Sequence, residues 1–590
     1  MPTVHGHLSR SKMKSTFLQG PRFLGSLLLA LTLPQAIPID AAAIQEVFQK
    51  STPGHVGGVA SESRECSAIG RDLLARGGNA VDALVGTTFC VGVVGMYHSG
   101  IGGGGFAVLR DANGEYEAID FREAAPAAAF EDMYKNNVSA SVRGGLAVGV
   151  PSEIKGLEYM HSKYGVLPWK TVMQGAIHVA RNGFRVSKDL IRYMGNTFKA
   201  DGETFLTKDP NWATDFAPDG DLVKEGSWMT RKRYADTLEK ISEHGGEVFY
   251  SGKMAKTIVN FIQSTGGTMT LEDMANYKVI SRPVHNVTYR GLVLHGIGAP
   301  AGGTVSLQIL KIMERYNAQD WSDQDLSRHR LTEAMRFAYA ARISLGDPEY
   351  VDDDVEGFER EMLDSKNIDA IHERIWDNQT HAAKYYNPKK FYVPENHGTS
   401  HIAAADKSGM AVSLTTTVNL LFGAEIVEPE TGIILNNEMN DFSIPGVSNE
   451  FGFAPSVANY IRPNKRPLSS ITPIIAAFPN GTLYAVIGAA GGSRIISATA
   501  QVLWHILDEH DDTLAGALER PRLHDQLMPN KVLLEEMFDD EVAAGLEKRG
   551  HNVSWVRPTL SSVQAVRRFT DGLFEAASEP RQKNSAGYTL

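Results

Sequence analysis

The chain has only two cysteines among its 590 residues, and the short motifs of several enzyme classes are missing from it. No H-E-x-x-H, C-x-x-C or G-x-S-x-G motif occurs, so metal-dependent and serine-hydrolase chemistry have no support in the sequence. The 18 histidines are scattered along the chain. We therefore expect no metal ion and no cofactor.

Charge of one sign is also not concentrated anywhere. The formal net charge of -11 comes without an acidic or basic block, which argues against nucleic acid as a partner. With 43% hydrophobic and 22% charged residues, the composition is that of a folded protein with ample apolar surface to bury. No long flexible linker divides the chain, so we expect one large core.

The N-terminal residues have the order of a secretory signal peptide. Basic residues precede an apolar run at 23–33, which small residues follow: Arg10, Lys12, Lys14 and Arg22, then Ala41, Ala42 and Ala43. The run is shorter than the roughly 20 residues that span a bilayer. We predict a cleaved signal peptide at 1–43, with an uncleaved anchor extending towards Ile39 as the alternative. The protein is then secreted or lumenal, extracellular or vacuolar, and meets a membrane only if the segment is retained.

The two cysteines agree with export. Cys66 and Cys90 lie on two predicted helices joined at 77–79, and such a hairpin brings the thiols together. In an oxidising compartment we expect a disulfide, and the alternative is a pair of buried free thiols. Five N-x-[ST] sequons are compatible with glycosylation, at Asn137, Asn286, Asn378, Asn480 and Asn552.

Helical periodicity dominates residues 61–345, and strand patterns dominate after Thr399. Polar starts and glycine stops predict helices in the first half at 151–165, 170–183, 231–245, 304–316 and 325–345. Alternation and turn residues predict hairpins at 105–121, 400–418, 471–488 and 562–577, and helices at 494–508 and 540–550. The simplest common architecture is an α/β (α+β) fold with two packed sheets between helical layers and one shared core. Residues 346–398 are polar, and we interpret them as an exposed tail leading to Thr399.

The segment Gly398-Thr-Ser-His401 stands between that polar stretch and a strand-like run. We interpret the Gly398–Thr399 bond as a cleavage point inside one folded domain. Cleavage makes Thr399 a new N-terminus, and a threonine with a free α-amine, of ordinary pKa roughly 7.7 to 8.0, is nucleophile and general base in one residue. Such chemistry needs no catalytic histidine.

Gly100, Gly102 and Gly105 have the spacing of a dinucleotide fingerprint but follow a predicted helix and open a strand, the reverse of what that fingerprint requires. Two roles are compatible with these glycines. Either they let the backbone approach the reacting centre closely, or they form a tight helix-to-strand connection.

The order of several motifs is more specific than any one of them. They are Asp120-Phe-Arg-Glu123, Pro300-Ala-Gly-Gly303, Gly398-Thr-Ser-His401, Thr415-Thr-Thr-Val-Asn-Leu-Leu-Phe-Gly423, Leu435-Asn-Asn-Glu-Met-Asn-Asp-Phe-Ser443, Arg466-Pro-Leu-Ser-Ser470 and Gly488-Ala-Ala-Gly-Gly-Ser-Arg494. From about residue 55 to the C-terminus, the chain resembles the γ-glutamyltransferase (γ-glutamyltranspeptidase) family of N-terminal nucleophile hydrolases.

The resemblance implies a four-layer αββα sandwich built by two associated chains cut from one precursor, a heavy chain at 44–398 and a light chain at 399–590. It implies a γ-glutamyltransferase and glutathione hydrolase that acts on glutathione and other γ-glutamyl compounds. The acyl group passes from a threonine ester to water or to an amino acid or dipeptide.

The resemblance also assigns roles to individual residues. Thr399 matches the nucleophile, Gly491 and Gly492 the oxyanion hole, and Thr417 a threonine that hydrogen-bonds the nucleophile. The substrate α-carboxylate is bound by residues matching Arg122, Ser469 and Ser470, and the α-ammonium by residues matching Asn419, Glu438 and Asp441. A zwitterionic group requires this arrangement, because a fork of donors suits the carboxylate and acceptor oxygens suit the ammonium.

Two alternatives and one hypothesis accompany this assignment. An amidase of the same fold that acts on glutaryl cephalosporins needs no Asp441, and a processed but inactive secreted binding protein needs no intact catalytic set. Between Asp441 and Ser469 the chain is rich in Gly, Pro and Ser, and Phe451 lies near where some family members place an aromatic lid residue. A lid over the site is therefore a hypothesis.

Overall fold

Two antiparallel sheets form the centre of the molecule. The computed structural model describes residues 54–317, 323–387, 391–392 (backbone only), 398–446, 454–510, 513–558 and 561–590. Sheet A has the strand order Ala586–Thr589, Gly57–Ser61, Ser400–Asp406, Ala411–Thr417, Gly104–Arg110, Tyr116–Phe121 and Ile280–Arg282. Sheet B has the order Phe574–Ala577, Ser562–Arg568, Leu483–Ala490, Ile474–Ala477, Leu292–Ile297 and Val284–Tyr289.

Helices flank the two sheets. Those of the first half are Arg64–Ala75, Ala80–Val94, Glu153–Tyr164, Trp169–Asn182, Lys188–Gly195, Phe205–Lys208, Pro210–Phe216, Lys232–His244, Glu247–Tyr250, Gly252–Ser264, Leu271–Asn276, Gly303–Met313, Gln324–Arg342, Val355–Leu363, Ser365–His372 and Ala383–Tyr386. Those after Thr399 are Arg494–Leu507, Leu514–Glu519 and Asp540–Lys548. Short strands make three further small sheets, at Phe184–Arg185 with Trp228–Met229, Phe391–Tyr392 with Ala454–Pro455, and Leu523–His524 with Val532–Glu535 and Val553–Val556.

The alternation of side chains along sheet A explains the layering. In the strand Ser400–Asp406, Ile402 and Ala404 face a core shared with the helices Arg64–Ala75, Ala80–Val94 and Trp169–Asn182. Ala403 and Ala405 face the opposite core, which contains sheet B and the helices packed on its outer side. The sheets also meet through polar groups, since the Ser413 hydroxyl donates to the carbonyl of Ile487 at 2.9 Å. The expected four-layer αββα sandwich is confirmed.

Residues before and after Thr399 interleave within both sheets. In sheet A, the strand Gly57–Ser61 lies between Ala586–Thr589 and Ser400–Asp406. In sheet B, the strand Leu292–Ile297 pairs with Ile474–Ala477. A cut at Thr399 therefore separates no structural unit, because each half completes the hydrogen-bonded sheets and the core of the other.

The helical hairpin predicted around Cys66 and Cys90 is present. Asn79 begins its second helix with a capping box, in which its side chain accepts from Val81 N and Asp82 N while the Asp82 carboxylate accepts from Asn79 N. The packed helices hold Cys66 and Cys90 with their Cα atoms 5.2 Å apart, and the two residues form a disulfide. The alternative of two free thiols is wrong.

The interpretation of residues 346–398 as an exposed tail is wrong for the part that the structure describes. Two amphipathic helices, Val355–Leu363 and Ser365–His372, bury Val355, Met362 and Ile368 in the core beneath sheet B. The apolar spacing was hidden because each helix is short and interrupted by charged residues.

Several N-terminal and surface predictions remain untested. The predicted signal peptide and Phe451 lie outside the described residues. All five sequon asparagines are exposed, which is compatible with glycosylation: Asn137, Asn286, Asn378, Asn480 and Asn552. In the part of the chain that the structure describes, no helix has the length and apolar character needed to cross a bilayer.

Candidate active site

Thr399 lies at the open end of the central hairpin of sheet A. Ser400 pairs with Thr416 in the register of the strands Ser400–Asp406 and Ala411–Thr417, so Thr399 comes opposite Thr417. Thr399 is buried, and its hydroxyl contacts the carbonyl oxygen of Gly398. The Thr417 hydroxyl donates to that same oxygen at 3.4 Å. In the uncut chain, the two threonine hydroxyls therefore meet at the bond that we predict is cleaved.

Gly398 has a conformation that only glycine adopts easily. Its φ is +110°, and a Cβ at this position would overlap the carbonyl oxygen of Asn419. Asn419 itself has a φ of 72° and is held by its side chain, which donates to the carbonyl of Asn437 at 3.0 Å. The turn after Thr417 thus fixes the position of the Gly398 carbonyl.

Arg122 is buried among carboxylates. Its guanidinium forms ion pairs with Glu438 and Asp441, and Glu123 lies 4.0 Å away. Burial opposes the charged form of Arg122, but these carboxylates outweigh burial and hold its pKa above the usual value. Burial raises the pKa of Glu438. Positive and negative groups therefore lie side by side, as recognition of an α-amino acid head requires.

Two sequence motifs that are far apart in the chain meet at Asp120. Its carboxylate accepts from the backbone N–H of Arg122 at 2.9 Å and pairs with Arg466 at 2.5 Å. Arg282 completes the arrangement with a 2.8 Å contact to Asp120. Asp120 thus fixes the end of the strand that precedes Arg122 against the segment that leads to Ser469 and Ser470.

Ser469 and Ser470 belong to the segment that Arg466 joins to Asp120. The Ser469 backbone N–H donates to the carbonyl of Pro300 at 2.7 Å, and the Ser469 hydroxyl accepts from Ile471 N at 3.1 Å. The Ser470 hydroxyl accepts from Arg342 at 3.0 Å. The Pro300 to Gly303 motif therefore supports the segment of Ser469 and Ser470.

Gly491 and Gly492 connect sheet B to a helix. Both have left-handed φ angles, +126° and +61°, directly after the strand Leu483–Ala490 and before the helix Arg494–Leu507. Backbone N–H groups at such a turn and helix start have no partner within the helix and favour a negative charge. The pair is suited to stabilise an oxyanion.

Two cavities meet at Thr399. One is lined by Arg122, Gly398, Thr399, Thr417, Asn419, Glu438, Asp441, Ser469, Ser470 and Gly492, together with Ile471 and Ile495. The other has a volume of about 270 Å³ and shares Gly398 and Thr399 with the first, while Gly491 lines it in place of Gly492. Every residue predicted for catalysis or substrate binding thus lines one of the two cavities.

The sequence comparison agrees with this arrangement. A family model described as Gamma-glutamyltranspeptidase matches residues 66–589. The chain belongs to the γ-glutamyltranspeptidase family.

Relatives of this γ-glutamyltranspeptidase family member include two fungal proteins. A protein named Glutathione hydrolase proenzyme, from Arthroderma benhamiae, is 47% identical over 97% of this chain and 100% of its own length. A protein named Glutathione hydrolase, from Aspergillus flavus, is 44% identical over 99% of this chain and 97% of its own length. The crystal structure of a cephalosporin acylase from Bacillus halodurans superposes with a TM-score of 0.80 over 95% of this chain and 99% of that chain. At 24% identity, this likeness shows the fold.

Sequence reasoning missed several residues that build this family member's site. Arg342 donates to the Ser470 hydroxyl at 3.0 Å, and no local pattern in the sequence indicates this contact. Asn437 accepts from Leu420 N at 3.0 Å, although the sequence showed it only as part of a motif.

The glycine-rich segment serves close packing next to the site. A Cβ at Gly103 would overlap the carbonyl oxygen of Thr417, and one at Gly102 would overlap that of Ile434. None of the glycines from Gly100 to Gly105 lines either cavity. They form the helix-to-strand connection and let the strand of Thr417 approach it.

A buried group of His329, Glu333 and His551 lies outside both cavities. The two histidine rings hydrogen-bond each other at 2.8 Å, and Glu333 accepts from Thr380 and Tyr386. Burial lowers the pKa of His329 to about 4, so the ring is neutral at ordinary pH. These contacts account for the cluster as packing between the two halves of the chain.

Proposed function

We propose that the protein is a γ-glutamyltransferase and glutathione hydrolase that cuts itself between Gly398 and Thr399. The observation that carries the proposal is the cavity in which Arg122 and Asp441 lie beside Thr399. The names of the two fungal relatives, Glutathione hydrolase proenzyme and Glutathione hydrolase, support it.

Maturation begins with attack of the Thr399 hydroxyl on the carbonyl carbon of Gly398. The C–N bond breaks as the C–O bond forms, and the nitrogen takes the proton to become the α-amine of Thr399. Thr417 donates to the Gly398 oxygen, where negative charge develops. Water then hydrolyses the ester, which leaves a carboxylate on Gly398 and a free hydroxyl on Thr399.

When a substrate binds, its two charged groups replace the ion pairs between Arg122 and its acidic neighbours. The α-carboxylate of a γ-glutamyl group takes the guanidinium of Arg122, with Ser469 and Ser470 as further donors. The α-ammonium takes Glu438, Asp441 and the side-chain oxygen of Asn419. The γ-carbonyl is then held over Thr399, with its oxygen towards Gly491 and Gly492.

Acylation uses the liberated α-amine of Thr399 as the base. It accepts the hydroxyl proton as the hydroxyl attacks the γ-carbonyl, and it returns a proton to the leaving amine as the C–N bond breaks. The resulting ester passes its acyl group to water, or to the amine of an amino acid or dipeptide. In either case the C–O bond to Thr399 breaks and the hydroxyl regains its proton.

The compartment and the two-chain product belong to the same proposal. We infer a secreted or lumenal protein, extracellular or vacuolar, whose heavy chain at 44–398 and light chain at 399–590 stay associated. The disulfide and five exposed sequons support the compartment, and the interleaved strands support the association.

A matched pair of substrates tests the function against a glutaryl amidase of the same fold. γ-Glutamyl-p-nitroanilide and glutaryl-p-nitroanilide differ only in the α-ammonium that Asp441 is expected to bind. The purified protein should prefer the first by about 100-fold in kcat/KM, since a charged hydrogen bond contributes roughly 1.5–3 kcal/mol. It should also release glutamate from glutathione.

The variant Asp441→Asn tests the same contact and should lose most of the preference for γ-glutamyl-p-nitroanilide. Equal turnover of both anilides would favour the amidase, and a correctly cut protein that turns over neither would indicate an inactive binding protein.

A further inference from the structure

The second cavity at Thr399 lies where the amine part of a γ-glutamyl amide must go. An amide has an acyl side and an amine side, and the cavity of Arg122 and Asp441 suits the acyl side. The remaining cavity, of about 270 Å³, shares Gly398 and Thr399 with the first. A leaving amine departs into it, and an acceptor amine approaches the acyl ester from it.

The wall of this cavity carries a positive charge and hydrogen-bond donors. Arg192 and Tyr193, on the helix Lys188–Gly195, line it together with Asn196 and His98. Arg192 donates to the Tyr193 hydroxyl at 2.6 Å, and burial raises the pKa of Tyr193, which keeps that hydroxyl protonated and able to donate. A cation beside a neutral hydroxyl donor suits a carboxylate.

Acids also lie near this wall. Glu62 bonds to His98, and Asp189 lies 3.4 Å from Nη2 of Arg192. Its carboxylate also accepts from Asn584 N at 2.8 Å, so the acid is shared with the backbone. The hydrogen bond and the ion pair of Arg192 are both made by Nη2, and its guanidinium carbon lies 4.5 Å from the centroid of the Tyr193 ring. Within the described residues, Nε and Nη1 of this partly exposed guanidinium make no protein hydrogen bond or ion pair and can bind a ligand.

The wall is fixed in position relative to the nucleophile. Tyr193 stacks on Tyr97 with ring centroids 4.4 Å apart and packs against the ring of His98 at 4.5 Å. His98 bonds to Glu62 at 3.0 Å, and Glu62 accepts from the hydroxyl of Ser400 at 2.6 Å. Because Ser400 is the neighbour of Thr399, this chain of contacts sets the distance from the cation to the reacting atom.

We propose that Arg192 is a specificity-determining residue that binds the terminal carboxylate of the leaving group and of the acceptor. The inference rests on the function proposed above and refines it. The favoured leaving groups and acceptors are amino acids or short peptides with a free C-terminal carboxylate, such as the dipeptide released from glutathione. Amines that lack a carboxylate gain nothing from Arg192.

The test compares two acceptors, glycylglycine and glycylglycinamide, in transfer from γ-glutamyl-p-nitroanilide. The mature wild-type protein should show a KM about tenfold lower for glycylglycine, as expected for a charged but partly exposed hydrogen-bonded contact. Arg192→Gln should raise the KM for glycylglycine about tenfold and leave that for the amide unchanged.

Arg181→Gln is the matched control, because it removes one positive charge from the neighbouring helix. Arg181 is partly exposed, like Arg192, pairs with Asp236 and Glu239, and lines neither cavity. Arg192→Lys keeps the charge and should recover part of the preference. A wild-type protein that uses the dipeptide and its amide equally would overturn the inference even if no variant folds, and so would an Arg192→Gln protein that keeps the wild-type preference. A mature protein without activity on any γ-glutamyl compound would instead contradict the proposed function itself.

Discussion

Arg122 is a buried cation that lies among acidic side chains. It is buried beside the carboxyl groups of Glu123, Glu438 and Asp441, and burial raises the pKa of Glu123 and of Glu438. A bound α-ammonium needs acceptor oxygens such as these carboxyl groups offer, and the α-carboxylate needs the flat fork of a guanidinium. The site is thus complementary to a zwitterion.

Arg122→Lys is expected to lower kcat/KM for γ-glutamyl-p-nitroanilide by about 10- to 100-fold, because an ammonium keeps the charge but loses the two parallel hydrogen bonds. Steady-state kinetics on the purified, cut protein measure this. The control is Arg231→Lys, a buried arginine that donates to the carbonyls of Gly92 and Gly432 and lines neither cavity. Unchanged kinetics in Arg122→Lys, or an equal loss in both variants, would contradict the assigned role.

The resemblance of motifs named Thr399, Arg122 and Gly491 as site residues, and all three line the cavities at Thr399, but it did not name the residues that support them. Arg342 lies 128 positions before the Ser470 that it contacts, and no local pattern carries such a pairing. The same holds for Asp120 and Arg466, which are both within quoted motifs but whose contact depends on the packed sheets. A role that depends on a tertiary contact cannot be predicted from the spacing of residues in the sequence.

At the scale of elements, the central hairpin positions the Gly398–Thr399 bond, which we propose is cleaved. The strands 400–406 and 411–417 were predictable from alternation, and their register puts Thr399 opposite Thr417. The helices of 346–398 were not predictable, because short amphipathic segments give too few periods to separate from a polar tail. The left-handed Gly398 links these two regions.

Gly398→Ala is expected to slow self-cleavage at least about tenfold, since a misplacement near 1 Å in a reacting group can cost about 100-fold. The added Cβ would overlap Asn419 O and move the Gly398 carbonyl away from Thr399. A time course on denaturing gels gives the rate. Gly481→Ala is the control, because Gly481 also has a positive φ, of 85°, but open space around it. Equal cleavage rates in the two variants would show that the Gly398 geometry is not required.

At the scale of the whole molecule, the two halves of the chain share both sheets and the helical layer on sheet B. Buried polar contacts cross between them, such as that of Glu153 in the first half with Thr416 in the second. Burial raises the pKa of Glu153 to about 8. A carboxyl that is protonated in the folded state and ionised in the unfolded state makes stability depend on pH.

The pKa of Glu153 is higher in the folded state than in the unfolded state. Its contribution to the free energy of unfolding is therefore complete below the unfolded pKa near 4.3 and is lost as pH rises through about 8. Glu153→Gln removes the titration. The Tm of Glu153→Gln minus the Tm of the wild type should therefore increase by about 2–5 °C between pH 5 and pH 8.5. Thermal unfolding at a series of pH values measures it. The exposed Glu272→Gln should show no such trend, and a constant difference for Glu153→Gln would refute the assignment.

The central claim is that the chain cuts itself so that Thr399 becomes an N-terminal nucleophile, and sequencing of the smaller fragment from its N-terminus tests it most directly. The account predicts two fragments from the wild-type protein, the smaller one beginning Thr-Ser-His, and a single uncut chain from Thr399→Ala. A different first residue, or an uncut wild-type protein that still turns over γ-glutamyl-p-nitroanilide, would contradict it.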